Sequence, residues 1–153
     1  MKNRLFQPRI TVSAHSDDAL KGYAFRGLRS DEDPPQGLKA SGSNPDIEAW
    51  RHVVQDNDSP WISLTRDPKV AWKYSGEGEK DIVAVDLSKV DSEMVDAAAY
   101  LHMSHEFYNF AKGAAWRDKE ILVKFNVPAQ AIVKRWPAGT SFNTILRDIA
   151  GLN

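Results

Sequence analysis

Short strand patterns that fall in clusters, rather than alternating strictly with helices, are the feature that most restricts the folds open to this chain. Tyr23-Ala24-Phe25-Arg26-Gly27 reads as an aromatic strand that stops at glycine. Trp61-Ile62-Ser63-Leu64-Thr65 reads as a second, and Asp81 to Leu87 as a third with an apolar centre. Glu120 to Val127 is expected as one strand ending before Pro128, and Ala131 to Trp136 as another. Helical spacing predicts a helix from Pro68 to Gly76, with Asp67 as its N-cap. Helices are also expected at 47–55, at 92–111 and at 143–152, and Gln36 to Asp46 is expected as loop. Strands paired in short clusters argue for an α+β fold of mixed sheets, not a doubly wound parallel sheet.

The 153 residues are expected to form one domain, 1–153. No glycine-rich dinucleotide fingerprint and no P-loop occurs, so neither of those routes to a nucleotide is supported. The absence of cysteine excludes disulfides, thiolate metal sites and a cysteine nucleophile. A formal net charge of −1 gives no global field toward nucleic acid or membrane. With no signal-like apolar run at the start, action in the cytoplasm or delivery into a target cell without a leader is the expectation.

Three places hold chemistry-bearing residues. Arg26 closes an aromatic strand just before Gly27, where a guanidinium suits a phosphate. Read alone, it is more readily a surface arginine on an edge strand. Alternation puts the hydroxyls of Ser63 and Thr65 on one face of their strand, either facing a ligand or forming an ordinary polar face. The same alternation points Asp118 and Glu120 to one side at a strand mouth. There, like charges repel unless a function or open solvent excuses them. His102 and His105 lack a third ligand in a fitting position, so no metal site is expected. Trp61 or Trp72 is a candidate wall for a flat ring.

The order of these elements resembles the ADP-ribosyltransferase toxin superfamily, in the branch marked by arginine, a Ser-x-Thr strand and a terminal glutamate. Tyr23-x-Phe25-Arg26-Gly27, the Gly37-Leu38-Lys39-Ala40 loop, Ser63-Leu64-Thr65 before Asp67-Pro68, and Asp118-x-Glu120 carry the resemblance across about 23–133. It implies a split β-sandwich of two small mixed sheets with flanking helices. It also implies NAD as co-substrate, bound by Arg26, Gly27, Ser63 and Thr65, with Arg26 on the phosphates. Glu120 would be the catalytic carboxylate, Asp118 would serve the acceptor, and the loop 112–118 would face it. The product is ADP-ribose on a protein side chain or nucleic acid, with nicotinamide released. Polymorphic-toxin and effector domains of this kind bring an immunity or antitoxin protein as an expected partner. The alternatives are an RNA 2′-phosphotransferase, for which His15 and His52 lie off the motif strands, and a non-catalytic binding module.

Overall fold

The computed structural model describes residues 20–43, 59–97 and 118–152. Eight strands are present among them: β1 Tyr23–Gly27, β2 Leu38–Lys39, β3 Trp61–Thr65, β4 Ile82–Asp86, β5 Met94–Asp96, β6 Glu120–Lys124, β7 Asn126–Val127 and β8 Ile132–Trp136. Helices α1, Pro68–Tyr74, and α2, Phe142–Leu152, accompany them. The expected α+β split architecture, ADP-ribosyltransferase-like in form, is the one found. Its sheets are unequal: six strands in the order β5-β6-β3-β1-β4-β8, and a ribbon of β2 and β7. Every pairing among the described residues is antiparallel, where the strand clustering suggested mixed sheets.

The large sheet buries both faces. One face carries Ala24, Ile62, Leu64, Val83, Val85, Ile121 and Val123, which pack with Leu38 and Val127 of the ribbon. The other carries Phe25, Ile82 and Ala84, covered by Ala71 of α1 and Ile145 of α2. Strand β4 lies between β1 and β8, which explains its unbroken apolar run from Ile82 to Val85. Helix α1 starts as expected, the Asp67 carboxylate accepting from the Lys69 N–H at 2.9 Å with Pro68 following. No helix among the described residues is long and apolar enough to cross a membrane.

Three further expectations need correction. Residues 94–96 form β5 against β6 rather than the start of a helix; the Val95 side chain is buried in the sheet, and packing overrides helical propensity there. The stretch from Glu120 to Val127 is two strands in two sheets, because Phe125 takes a φ of 70° and turns the chain. Its N–H donates to the Pro60 carbonyl and its own carbonyl accepts from Ala40, so the turn is held at both ends. Lastly, Leu38–Lys39, expected as loop, pairs with β7. The helix expected at 47–55, most of the one at 92–111, and all four histidines lie outside the described residues.

Candidate functional site

A gap between β1 and β3 organises the site. A single register pair joins these strands, Phe25 opposite Thr65. Beyond it the Arg26 guanidinium takes the place of a ladder bond: Nη1 donates to the Ser63 carbonyl at 2.7 Å. Its Nε donates to both oxygens of Glu32, at 3.2 and 3.1 Å. The side chains are 13% and 4% exposed, so this is a buried ion pair. Glu32 also accepts from the Arg29 N–H at 2.7 Å, which ties the turn after β1 to the same carboxylate. Removing one partner of such a pair costs about 3–5 kcal/mol, because the other charge stays buried alone.

Ser63 faces two ways. Its carbonyl meets Arg26, and its Oγ donates to Glu120 Oε2 at 2.6 Å. Ser63 sits opposite Leu122 in the β3–β6 register, so Glu120 is its diagonal neighbour on the same face. Phe25, Thr65 and Glu120 share that face through their pairings, and alternation sends Arg26 to the other. Arg26, Ser63 and Glu120 are thus joined through the gap in the sheet, not across one flat surface.

Thr65 fixes the approach to Glu120. Its Oγ1 donates to the Asp118 carbonyl at 2.5 Å and accepts from the Asp67 N–H at 3.0 Å, linking the segment before β6 to the start of α1. Asp118 precedes the strand, and Lys119 between the two acids has a φ of 48°, so strand alternation does not extend to Asp118. The Asp118 carboxylate accepts from Tyr74 Oη at 2.8 Å, beside an aromatic ring that is 67% exposed. Burial pushes the Glu120 carboxyl up from 4.5 to about 6; the Ser63 hydroxyl pulls it back, and the Asp118 charge pushes it further. At neutral pH the group is mainly ionised, yet close enough to titration to respond to its surroundings.

Gly27 serves packing. A Cβ there would stand 2.8 Å from the Ser75 nitrogen and 3.0 Å from the Ala71 carbonyl, so only glycine lets the end of α1 lie on β1. Gly27 lines neither of the two cavities described next.

A cavity of about 200 Å³ opens beside the Arg26–Ser63 contact, with Arg29, Lys39, Ser41 and Trp61 among its walls. A second, of about 400 Å³, shares Arg29, Lys39 and Ser41 and extends along Asp31 to Gln36. Glu120 lines neither; it stands next to the first through Ser63. Trp61 is thus a cavity wall, while Trp72 packs on Phe142 with ring centroids 5.5 Å apart. Glu32, Arg29 and Tyr74 were missed from the sequence. Nothing in the string Ser30-Asp31-Glu32-Asp33 separates the buried acid from its exposed neighbours. Of the loop expected to face an acceptor, 112–118, only Asp118 lies within the described residues.

Residues 12–141 match the family described as Domain of unknown function (DUF7587), and the chain belongs to that family. A highly reducing polyketide synthase from Aspergillus terreus is 28% identical over 85 residues, which is 54% of this chain and 3% of that protein. The chain therefore corresponds to a small part of that relative. Full-length CARDS toxin has a similar structure, with a TM-score of 0.56 and 16% identity over 75% of this chain and 24% of its own. EcPltA is similar with a TM-score of 0.52 and 17% identity, covering 75% of this chain and 74% of its own. At these identities the likeness is one of fold.

Proposed function

We propose that this member of the family is an ADP-ribosyltransferase that takes NAD, releases nicotinamide and passes ADP-ribose to a macromolecular acceptor. The observation that carries the reading is the linkage of Arg26, Ser63 and Glu120 by two hydrogen bonds across 94 residues of sequence, from Arg26 to Glu120. The fold shared with CARDS toxin supports it. Of the two adjoining cavities, the larger, about 400 Å³, is of the size that holds a small ligand, on the order of 300–1,000 Å³, and the smaller, about 200 Å³, extends it toward Ser63.

The chemistry follows from the charges. As the bond between nicotinamide nitrogen and ribose C1′ breaks, its electron pair leaves with nicotinamide and positive charge grows on the ribose. A carboxylate held beside that ring stabilises the charge in the transition state more than in the ground state. Glu120 fits this role: Ser63 fixes one of its oxygens, and its ionised form has little water to lose. Asp118, held by Tyr74, stands at the same strand mouth to orient the acceptor and receive its proton. The acceptor is a protein side chain or a nucleic acid, and an immunity protein is the partner such a domain would need in the cell that makes it.

The test is release of free nicotinamide from NAD by purified protein, compared with Glu120→Gln. Turnover by the parent and its loss in the variant support the reading. No release from the parent with any acceptor mixture would leave a binding module as the better account.

A further inference from the structure

The sequence resemblance puts the phosphates of NAD on Arg26, but the surroundings of Arg26 point elsewhere. Its Nε is engaged by Glu32, a carboxylate only 4% exposed, and its Nη1 by the Ser63 carbonyl. An incoming anion would have to share this guanidinium with a buried negative charge in a medium that screens poorly. Two other cations border the smaller cavity, whose walls carry no carboxylate, whereas Asp31, Glu32 and Asp33 line the larger one and leave the smaller as the place for an anion. Lys39 is exposed on β2, lines both cavities, and has no ion pair for its ammonium among the described residues. Arg29 also lines both; its Nε holds Asp31 at 3.0 Å, between side chains that are 46% and 74% exposed, and its Nη2 stands 3.8 Å from Glu32, a longer contact than either that Glu32 makes with Arg26. The Arg29–Asp31 surface pair yields to a better anion far more readily than the buried one.

We propose that Arg29 and Lys39 form the diphosphate subsite of this chain, and that Arg26 is a positioning residue, neutralised by Glu32 and gripping Ser63. The ligand class is a nucleoside diphosphate ester. The proposal rests on the NAD reading for which ester is bound, but not for the anion site itself. Ser41, on the wall common to both cavities, adds a hydroxyl that can donate to the same anion.

Calorimetric titration with ADP-ribose and with inorganic pyrophosphate tests it without turnover. Arg29→Gln and Lys39→Gln should each weaken ADP-ribose binding about tenfold, the worth of one hydrogen bond to a charged group. Both should melt as the parent does, since both side chains are exposed. In turnover they should raise KM with kcat held, whereas Arg26→Lys should lower kcat with KM held, as a lost positioning contact does. Parent-like affinity in the double variant Arg29→Gln/Lys39→Gln would overturn the proposal, as would a parent that binds neither probe at millimolar concentration. Binding that depends on Arg29 and Lys39 in a protein that releases no nicotinamide would uphold the anion site and remove the enzymatic reading.

Discussion

Ser63 Oγ lies 2.6 Å from Glu120 Oε2, and this hydrogen bond acts against the burial that raises the glutamate's pKa. A hydroxyl donor favours the charged form of its acceptor. In Ser63→Ala that help is gone, so the Glu120 carboxyl moves higher still. The acid limb of nicotinamide release, expected near pH 6 in the parent, should shift to higher pH. The rate at pH 7 should fall by roughly tenfold, the kinetic equivalent of one charge-assisted hydrogen bond, with partial recovery at pH 9. An unchanged midpoint in a rate–pH profile would show that Glu120 does not set the limb.

The Arg26–Glu32 pair should be worth more to the fold than any other ion pair described for the chain, because its side chains are the least exposed. Glu32→Ala leaves Arg26 without its buried counter-charge and should cost about 3–5 kcal/mol in a urea titration. Arg26→Ala should cost a similar amount. The double variant should cost far less than the sum, since each single change leaves the other charge stranded. Additive losses would mean that the two side chains do not act as a pair in solution.

Much of the sheet was legible because its strands carry clean local signals. Trp61 to Thr65 and Ile82 to Asp86 have β-branched or aromatic patterning and turn residues at their ends, and they sit where expected. The start of α1 was equally legible, since Asp67-Pro68 is a local signature with a local mechanism. What escaped depends on partners distant in sequence. Strand β5 is a strand because β6 pairs with it, and the break at Phe125 comes from contacts to Pro60 and Ala40. At the site, Arg26, Ser63 and Glu120 were visible as chemistry, while Glu32 was not. Its role arises from a turn that folds it back under Arg26, and an acid among acids gives no sign of that.

Gly27 offers a test of packing apart from chemistry. A methyl group there would meet backbone atoms of Ser75 and Ala71 at 2.8–3.0 Å, and a helix end cannot step aside as a side-chain tip can. Gly27→Ala should therefore cost about 1–3 kcal/mol in thermal or urea unfolding. Because Gly27 lines neither cavity, the ADP-ribose affinity of the folded fraction should match the parent's. A stable variant with weakened binding would instead place Gly27 against the ligand.

Glu120→Gln should lose activity and gain stability in the same molecule. The folded-state pKa of about 6 lies above the ordinary 4.5, so between these values the folded protein binds more protons than the unfolded chain. The contribution of Glu120 to stability is then greatest below about pH 4.5 and is lost as pH rises through 6. A shift of that size corresponds to ~2 kcal/mol by the free-energy equivalent of a pKa unit, lost in full by pH 7. Glutamine keeps the shape and can still accept from Ser63, but carries no charge to desolvate. The variant should exceed the parent in stability by up to ~2 kcal/mol at pH 8 and converge with it at pH 4. Nicotinamide release should drop by about 10²–10³, as for removal of one preorganised electrostatic group. Toxicity on expression in a host cell, expected of an active transferase, should drop with it. Urea titrations across pH, beside the release assay, read both effects. A variant that is less stable than the parent at pH 8, or as active on NAD, would remove Glu120 from its proposed role.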